Sequence, residues 1–352
     1  MGIRFLTSGE SHGKCLNAII EGFPSNFNID IDFINSELSK RQMGYGRGGR
    51  MAIESDKVEI KSGVRFGKTL GSPICLEIEN KDWENWKYKM SPEKVECDFE
   101  KIVMPRPGHA DLAGLIKYKQ DDIRNILERS SARETAARVA VGAICQSFLK
   151  SFGIEGEARV LSVNKAIGED NIKAEIDRAK AEGDTLGGRI EIKFKNLPIG
   201  LGSYVHWDKR LDGLLAQALM SIPAIKSVEI GLGVHCADNP GSKVHDEMFY
   251  EDGKIKRKTN NAGGIEGGMT NGEDVVLYVS MKPIPTMRKP LKSVNLKTKE
   301  NAEAHFERSD VCAIEACATV ALNMCAIVLM NAFLDKFGGD SYNDVKVNYE
   351  KK

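Results

Sequence analysis

The sequence predicts an α+β chain in which hairpin-like strands alternate with long helices. Short β-like runs lie in the first quarter of the chain, at residues 3–7, 16–20, 58–60 and 74–78. Apolar residues recur at helical spacing over 30–42, and a longer helical pattern continues through Leu149. The same order of strands around a helix returns between residues 154 and 230. These three observations indicate a chain that contains both element types throughout its length.

The first helix is predicted over residues 30–42. Ile31, Ile34 and Leu38 fall on one helical face, and Asp30 or Asp32 is placed to cap the start. The polar stretch 81–100 follows the strands and contains two tryptophans. We expect it to be an exposed excursion without chemistry, with its tryptophans packed in the loop rather than marking a partner surface.

A second helix is predicted from a capping pattern in the middle of the chain. Ser131 and Glu134 stand at the spacing of a capping box, which places the start of a long helix at Ser131. Further on, we expect strands over 154–165 and 187–194 with a helix over 171–182 between them. Asp208 is predicted to cap another helix that ends near Met220.

The last long helix is predicted to begin at Ser309 or Asp310 as a cap and to end near Phe337. Residues 311–334 are nearly all small or apolar, and about 20 apolar residues suffice to span a membrane. Polar residues interrupt this run, so a buried central helix is the favoured interpretation. From Gly338 onward the chain is polar, and we expect it to be loose.

Composition excludes some classes of function. Fifty basic residues balance fifty acidic residues, which argues against a general binder of nucleic acid or anionic membranes. The eight cysteines form no Cys-x-x-Cys pair, so we expect a reducing compartment with no disulfide framework and no metal site. The first residues lack a signal pattern, and the cytoplasm is therefore the expected location.

Two glycine-flanked turns each present a histidine. Ser11 and His12 lie in the turn 8–13, and His109 follows Arg106 in the rigid turn 104–111, which contains two prolines. Histidine exchanges protons near neutral pH, so both turns are candidate sites of proton transfer. Either segment is also compatible with an ordinary turn.

Arginines in glycine-rich or cap-forming segments indicate anion binding. Arg41, Arg47 and Arg50 lie within ten residues that also contain four glycines. A flexible solvated loop is the alternative interpretation of this stretch. Arg129 and Arg133 flank Ser130 and Ser131 at a predicted helix start, which is itself an anion-binding position. The glycine-rich stretch 263–272 lacks the strand and helix of a dinucleotide-binding motif.

Taken in order, these motifs resemble the chorismate synthase family over nearly the whole chain, which favours one domain over residues 1–352. The matching segments are residues 9–13, 41–50, 106–111, 129–135, 267–272, 282–286 and 308–310. The resemblance implies elimination of phosphate and a ring proton from 5-enolpyruvylshikimate 3-phosphate, giving chorismate in the shikimate pathway of aromatic amino acid biosynthesis. It also implies a requirement for reduced flavin mononucleotide (FMN), although the reaction has no net redox change.

The resemblance assigns roles by motif position. His12 would protonate the departing phosphate, His109 would protonate the flavin, and Asp310 would help remove a flavin proton. Ser11 and either Ser130 or Ser131 would relay protons. The implied flavin contacts are Arg129, Ser130, Ser131, Pro223, Ala224, Gly267, Lys282, Pro283, Ile284, Pro285, Thr286 and Arg308. The implied substrate or NADP contacts are Arg41, Arg47, Arg50, Arg106 and Arg133.

The family fold implied here is a β-α-β sandwich, with long central helices between antiparallel sheets, assembled as a homotetramer. Two other functions remain open from the sequence. One is a non-catalytic module that binds flavin or a phosphorylated metabolite. The other is a flavin reductase that uses NADPH.

Overall fold

The computed structural model describes residues 2–48, 55–96, 99–307 and 309–351. The helices are α1 Ile31–Gln42, α2 Trp83–Trp86, α3 Asp111–Tyr118, α4 Arg124–Ser130, α5 Thr135–Lys150, α6 Glu169–Glu182, α7 Leu211–Met220, α8 Gly241–Val244, α9 Ile314–Phe337 and α10 Tyr342–Glu350. The strands are β1 Arg4–Ser8, β2 Cys15–Glu21, β3 Val58–Ser62, β4 Val64–Arg65, β5 Lys68–Thr69, β6 Ile74–Glu79, β7 Glu155–Val163, β8 Gly188–Lys195, β9 Ile225–Ile230, β10 Met248–Glu251, β11 Lys254–Arg257, β12 Ile265–Glu266, β13 Met269–Thr270, β14 Val275–Met281, β15 Lys292–Val294 and β16 Asn301–Glu303. The predicted mixture of helices and antiparallel strands is confirmed.

Two four-stranded sheets dominate the strand content of the described residues. The first has the order β1-β2-β6-β3 and the second has the order β7-β8-β14-β9, with antiparallel pairing throughout. Along β14, alternate side chains from Val275 to Met281 are buried, as expected when only one face of a sheet covers the core.

Long helices pack against one face of each sheet. Helix α5 packs on β2 and β6, whereas α9 packs on β7 and β8, and the two helices pack against each other. Gly142 on α5 lies at their crossing: a Cβ atom there would stand 2.5 Å from the backbone oxygen of Asn323 on α9. One buried apolar cluster extends across this region from Ile3 to Val345.

The prediction that the apolar segment near the C-terminus is a buried helix is confirmed, but its predicted start is wrong. Helix α9 is long and apolar enough to cross a membrane, yet it lies in the core. It begins at Ile314, after an Ala313 cap that makes no side-chain hydrogen bond. Ser309 and Asp310 do not cap it because their side chains bond to other segments, described below.

Of the other three predicted caps, one is confirmed: Asp30 caps α1 by accepting a hydrogen bond from the Phe33 amide at 2.9 Å. The caps predicted at Ser131 and Asp208 differ from the structure. Ser131 accepts a hydrogen bond from the Arg133 amide, but it caps the short 3₁₀ turn Ala132–Glu134, and α5 begins only at Thr135. Asp208 lies in the 3₁₀ turn Trp207–Lys209, where its carboxylate bonds to the His206 ring 2.7 Å away. Helix α7 therefore begins at Leu211 without a side-chain cap.

Residues 339–351 do not form the loose tail expected from their composition, because most of them belong to helix α10. Ser341 and Asp344 form a capping box at the start of α10, and Val345 is fully buried. Tyr342 and Tyr349 pack against the rings of Phe152 and other aromatic residues. Tyr342, Val345 and Tyr349 stand at helical spacing, but the polar residues between them hide this pattern in the overall composition of the segment.

Candidate active site

The turn 9–14 closes the hairpin between β1 and β2. Gly9 has a φ of +101°, and a Cβ atom there would lie 2.3 Å from the Cys15 carbonyl oxygen, so only glycine fits. The Asn80 amide donates hydrogen bonds to the carbonyls of Glu10 at 3.1 Å and Gly13 at 2.7 Å. The turn that presents His12 is thus held by the residue that follows β6.

The imidazole of His12 is fixed on two sides. Its Nδ1 lies 2.9 Å and 3.0 Å from the two carboxylate oxygens of Glu128, and its backbone amide donates to the same carboxylate at 2.8 Å. The Trp86 indole stacks on the ring with centroids 4.0 Å apart and an interplanar angle of 27°. The stretch 81–100, expected to carry no chemistry, therefore supplies one wall of the site.

The Glu128 carboxylate is buried and paired a second time. Arg124, one turn earlier on α4, donates to it at 2.9 Å, and the other end of the guanidinium donates to Glu307 at 3.0 Å. Burial alone would raise the pKa of Glu128, but the hydrogen bonds and charge of His12, with the bond from Arg124, lower it below its usual value. This carboxylate is therefore ionised at neutral pH.

Buried guanidinium groups lie beside the histidine turn. Arg133 donates to both oxygens of Asp56 at 2.7 Å and to the Asn80 side chain at 2.9 Å. Arg41 donates to Thr135 and to the carbonyl of Ala132, each at 2.9 Å. The same Asn80 therefore joins the arginine cluster to the His12 turn.

The buried guanidinium of Arg41 lies near two further cations, Arg133 and Arg47. Burial, together with the neighbouring cations Arg133 and Arg47, outweighs Asp56 and lowers the pKa of Arg41 to about 10. Within the described ranges, its Nη1 is buried without a hydrogen-bond partner and stands 3.5 Å from Asp56. A desolvated cation with an unused donor is suited to an anionic ligand.

Arg47 approaches Asp310 from the glycine-rich loop. The guanidinium lies 2.7 Å from the Asp310 carboxylate, and the Gly48 amide donates to that carboxylate at 2.6 Å. Ser309 donates to the Thr286 carbonyl at 2.9 Å. The predicted site residues Arg50 and Arg308 lie outside the described residues.

The second histidine belongs to a compact triad. Arg106 donates through Nε and Nη2 to the two oxygens of Asp111 at 2.8 Å and 2.9 Å, and His109 Nδ1 lies 2.6 Å from Asp111. Arg106 also donates to the Thr286 hydroxyl at 3.0 Å. Burial acts to raise the pKa of Asp111, but hydrogen bonds from Arg106 and His109 hold it well below its usual range.

The segment 282–286 follows β14 and contacts the triad of Arg106, His109 and Asp111. Its Thr286 carbonyl also accepts a hydrogen bond from Ser309, the neighbour of Asp310. Lys282 donates through Nζ to the Gly108 carbonyl and through its amide to the Ala224 carbonyl at 2.9 Å. Ala224 itself has a φ of +74°, a strained conformation of the kind found at functional sites. Burial and the nearby Lys226 lower the pKa of Lys282.

A cavity of about 480 Å³ opens between the loop 45–48, helix α6 and the segment 286–288. The predicted site residues Arg47, Thr286 and Asp310 line it. Lys180 and Arg288 also line it, although neither was predicted as a site residue; Arg288 lies two residues after the matched segment 282–286. Its volume is within the range of small-molecule sites.

The other predicted site residues in the described ranges do not line this cavity, and Arg129, Ser130 and Gly267 illustrate where they lie instead. Arg129 donates to the carbonyls of Gly9 at 3.0 Å and Thr7 at 2.9 Å, so it braces the histidine turn. Ser130 donates to the Ile126 carbonyl on its own helix at 2.7 Å. Gly267 lies in the turn between β12 and β13, before β14, and is separated from Lys282 by a strand about 20 Å long.

Sequence reasoning missed several residues that organise the site. Glu128 adjoins a recognised motif, but only the three-dimensional structure shows that its side chain reaches His12. Asp111 pairs with Arg106, and Asp56 pairs with Arg41 and Arg133. The net charge of the sequence does not show which carboxylates pair with which arginines. Trp86 carries no signal that distinguishes it from other surface tryptophans.

Comparison with known proteins supports one family. The family model described as chorismate synthase matches residues 3–334. Relatives described as chorismate synthase include one from Thermoanaerobacter pseudethanolicus, 57% identical over 99% of this chain and 97% of its own length. Another, from Geobacter sulfurreducens, is 53% identical over 99% of this chain and 98% of its own length.

A solved structure described as a crystal structure of chorismate synthase agrees. It superposes with a TM-score of 0.79 at 42% identity, covering 100% of this chain and 97% of that chain. The family match, the near-complete coverage and the structural similarity lead to the same result. This chain belongs to the chorismate synthase family and is a lyase of the shikimate pathway.

Proposed function

We propose that this chain converts 5-enolpyruvylshikimate 3-phosphate to chorismate. In this 1,4-elimination phosphate leaves with the electrons of its C–O bond, the electrons of a ring C–H bond form a new ring double bond, and the existing ring double bond shifts by one position. Inorganic phosphate and a proton leave. The observation that carries this proposal is the buried arginine cluster joined through Asn80 to the His12 turn. It combines anion binding with a proton donor.

The arginines suit the charges of the substrate, which has one phosphate and two carboxylates. Arg41, Arg47 and Arg133 would bind these groups, and Arg50 and Arg106 would add to them. Fixed cations placed where negative charge develops are commonly the largest contribution to catalysis. The unused Nη1 donor of Arg41 fits such an anion better than it fits a purely structural role.

Reduced FMN, when bound, would supply a transient electron or negative charge that helps phosphate depart. The residues present fit such a group, because Lys282 and the strained Ala224 backbone converge near the triad. The residues that would hold it are Arg129, Ser130, Ser131, Pro223, Ala224, Gly267, Lys282, Pro283, Ile284, Pro285, Thr286 and Arg308. Gly267 precedes β14 and Lys282 follows it. Gly267 would therefore contact a cofactor that is bound at a second copy of the chain.

Proton transfer is assigned to five side chains. His12 would donate a proton from Nε2 to the leaving phosphate, because Nδ1 is engaged by Glu128. His109 would hold a proton at Nε2, since its Nδ1 faces Asp111. The Asp310 carboxylate would accept a proton, and Ser11 and Ser130 would relay protons.

The finer points of architecture and location belong to the same proposal. The contacts of α5 with the first sheet and of α9 with the second support a β-α-β sandwich. We infer a single domain over residues 1–352, a homotetramer and a cytoplasmic enzyme.

The test is an anaerobic assay with 5-enolpyruvylshikimate 3-phosphate and dithionite-reduced FMN. Equal amounts of chorismate, measured by absorbance, and of inorganic phosphate are expected. Binding of both ligands without product would overturn the proposal in favour of a binding module. A parallel arm with NADPH and oxidised FMN tests whether the chain also reduces flavin: product in this arm would add reductase activity to the elimination.

A further inference from the structure

We infer that Glu128 is a positioning residue for His12, acting within a chain of alternating charges that runs through Arg124 and Glu307. The inference rests on the proposed function, in which His12 donates a proton to phosphate. It assigns a role to residues that no sequence motif had indicated. Glu128 would not touch the substrate, since its carboxylate is occupied by His12 and Arg124.

The geometry at Nδ1 determines which ring nitrogen exchanges protons. An ionised carboxylate accepts hydrogen bonds but cannot donate one, so the proton of a neutral His12 ring must reside on Nδ1. Nε2 is then the nitrogen that receives and releases the second proton. The additional bond from the His12 amide to Glu128, at 2.8 Å, couples the backbone of the turn to the same carboxylate.

Trp86 limits the remaining freedom of the ring. With Nδ1 bound to Glu128, the imidazole could still tilt about that contact. The stacked indole, 4.0 Å away, opposes this tilt, and its other neighbours include the Arg124 guanidinium at 4.9 Å from the ring centroid. Arg124 therefore contacts both supports of His12, the carboxylate and the indole.

The charges around His12 come from three segments. Glu128 and Arg124 belong to α4, and Glu307 and His305 belong to the segment that precedes Asp310. Lys89 belongs to the stretch 81–100, and its Nζ lies 5.4 Å from the centroid of the Trp86 ring. Glu307 pairs with Arg124 at 3.0 Å and stands 3.4 Å from His305 Nε2. The network thus joins the predicted acid His12 to the segment that leads to the predicted base Asp310.

The first test replaces the carboxylate by its uncharged isostere, Glu128→Gln. We expect kcat to fall at least about tenfold, part of the contribution typical of a general acid, with KM and flavin affinity nearly unchanged. Glu128→Asp, which keeps the charge, should recover part of the loss. Glu134→Gln is the matched control, because Glu134 is a buried glutamate that pairs with Arg138 at 2.9 Å and does not contact His12.

A second measurement is independent of catalysis. Magic-angle-spinning NMR of protein labelled with ¹⁵N-histidine, assigned with His12→Gln, reports which nitrogen carries the proton. The wild-type neutral ring should be protonated at Nδ1, whereas Glu128→Gln should show both tautomers because an amide can donate or accept. An unchanged tautomer in that variant, or an unchanged kcat, would overturn the inference.

The two proposals fail in different ways. A wild-type protein that forms no chorismate refutes the proposed function, while the NMR result still tests the contact between Glu128 and His12. If Glu128→Gln does not fold, Trp86→Leu serves as the second variant, since Trp86 is only half-buried. A several-fold loss of kcat at constant KM supports the network, and full activity in that variant contradicts it.

Discussion

Asp111 shows how one buried carboxylate can fix two candidate site residues at once. It accepts two bonds from the Arg106 side chain and one from the Arg106 amide, and it lies 2.6 Å from His109 Nδ1. The sequence predicted Arg106 and His109 as site residues from a rigid turn. It could not reveal their common partner, because Asp111 also fits the first turn of α3.

Asp111→Asn should therefore weaken both folding and activity. The amide cannot replace a charged acceptor for Arg106, and breaking one partner of a buried ion pair costs about 3–5 kcal/mol. Urea unfolding measures this loss, and the anaerobic assay should show reduced turnover. Asp121→Asn is the control: Asp121 forms an exposed pair with Lys101, so its change should stay below about 1 kcal/mol. Equal stability of the two variants would contradict this account of Asp111.

The elements themselves were predictable where apolar periodicity was strong. The spans of α1, α6, β6 and β8 agree closely with the sequence-based expectations. Helix starts were less predictable, although Asp30 caps α1 as expected. Ser131 caps a short 3₁₀ turn before α5, Asp208 bonds to the nearby His206 ring, and Asp310 accepts from the distant Gly48 amide. The same side chain can cap a long helix, cap a short turn or bond to a distant segment, and the sequence does not distinguish these uses.

The crossing of α5 and α9 gives a prediction at the scale of elements. Gly142→Ala places a methyl group 2.5 Å from Asn323, so the helices must separate, at a cost of about 1–3 kcal/mol or more. Gly213→Ala on α7 meets no atom within 4 Å and should instead stabilise the chain by about 0.5–1 kcal/mol. Denaturant midpoints measure both changes. The same sign for the two substitutions would contradict the packing described.

At the scale of the whole molecule, neutrality conceals a strongly charged interior. The chain has a formal net charge of zero, yet Arg41, Arg106 and Arg133 are all buried. The sequence predicted a local basic pocket from arginines in constrained turns. Asp56, which pairs with Arg41 and Arg133, is distant from both in sequence. Asp111 lies in the same turn as Arg106, but the sequence does not show that its side chain turns back to that arginine.

This interior predicts how stability depends on pH. Burial would raise the pKa of Glu307, but His305 and Arg124 lower it to about 2. A lowered folded-state pKa means that the unfolded chain binds more protons, so the stabilisation is present above about pH 4.5 and is lost as pH falls toward 2. Glu307→Gln should lessen this loss, as measured by urea midpoints at pH 6 and pH 3. Glu157→Gln, in an exposed pair with Lys195, is the control and should change the pH response little. A pH response of Glu307→Gln equal to that of the wild type would refute the contribution of Glu307.

The central claim is that His12, held beside the arginine cluster, donates the proton that allows phosphate to leave. The most direct test is single-turnover formation of chorismate by His12→Ala with reduced FMN and saturating substrate, compared with the wild type. We predict a rate lower by about two orders of magnitude or more, with binding of substrate and flavin retained. A near-normal rate in His12→Ala would contradict the claim.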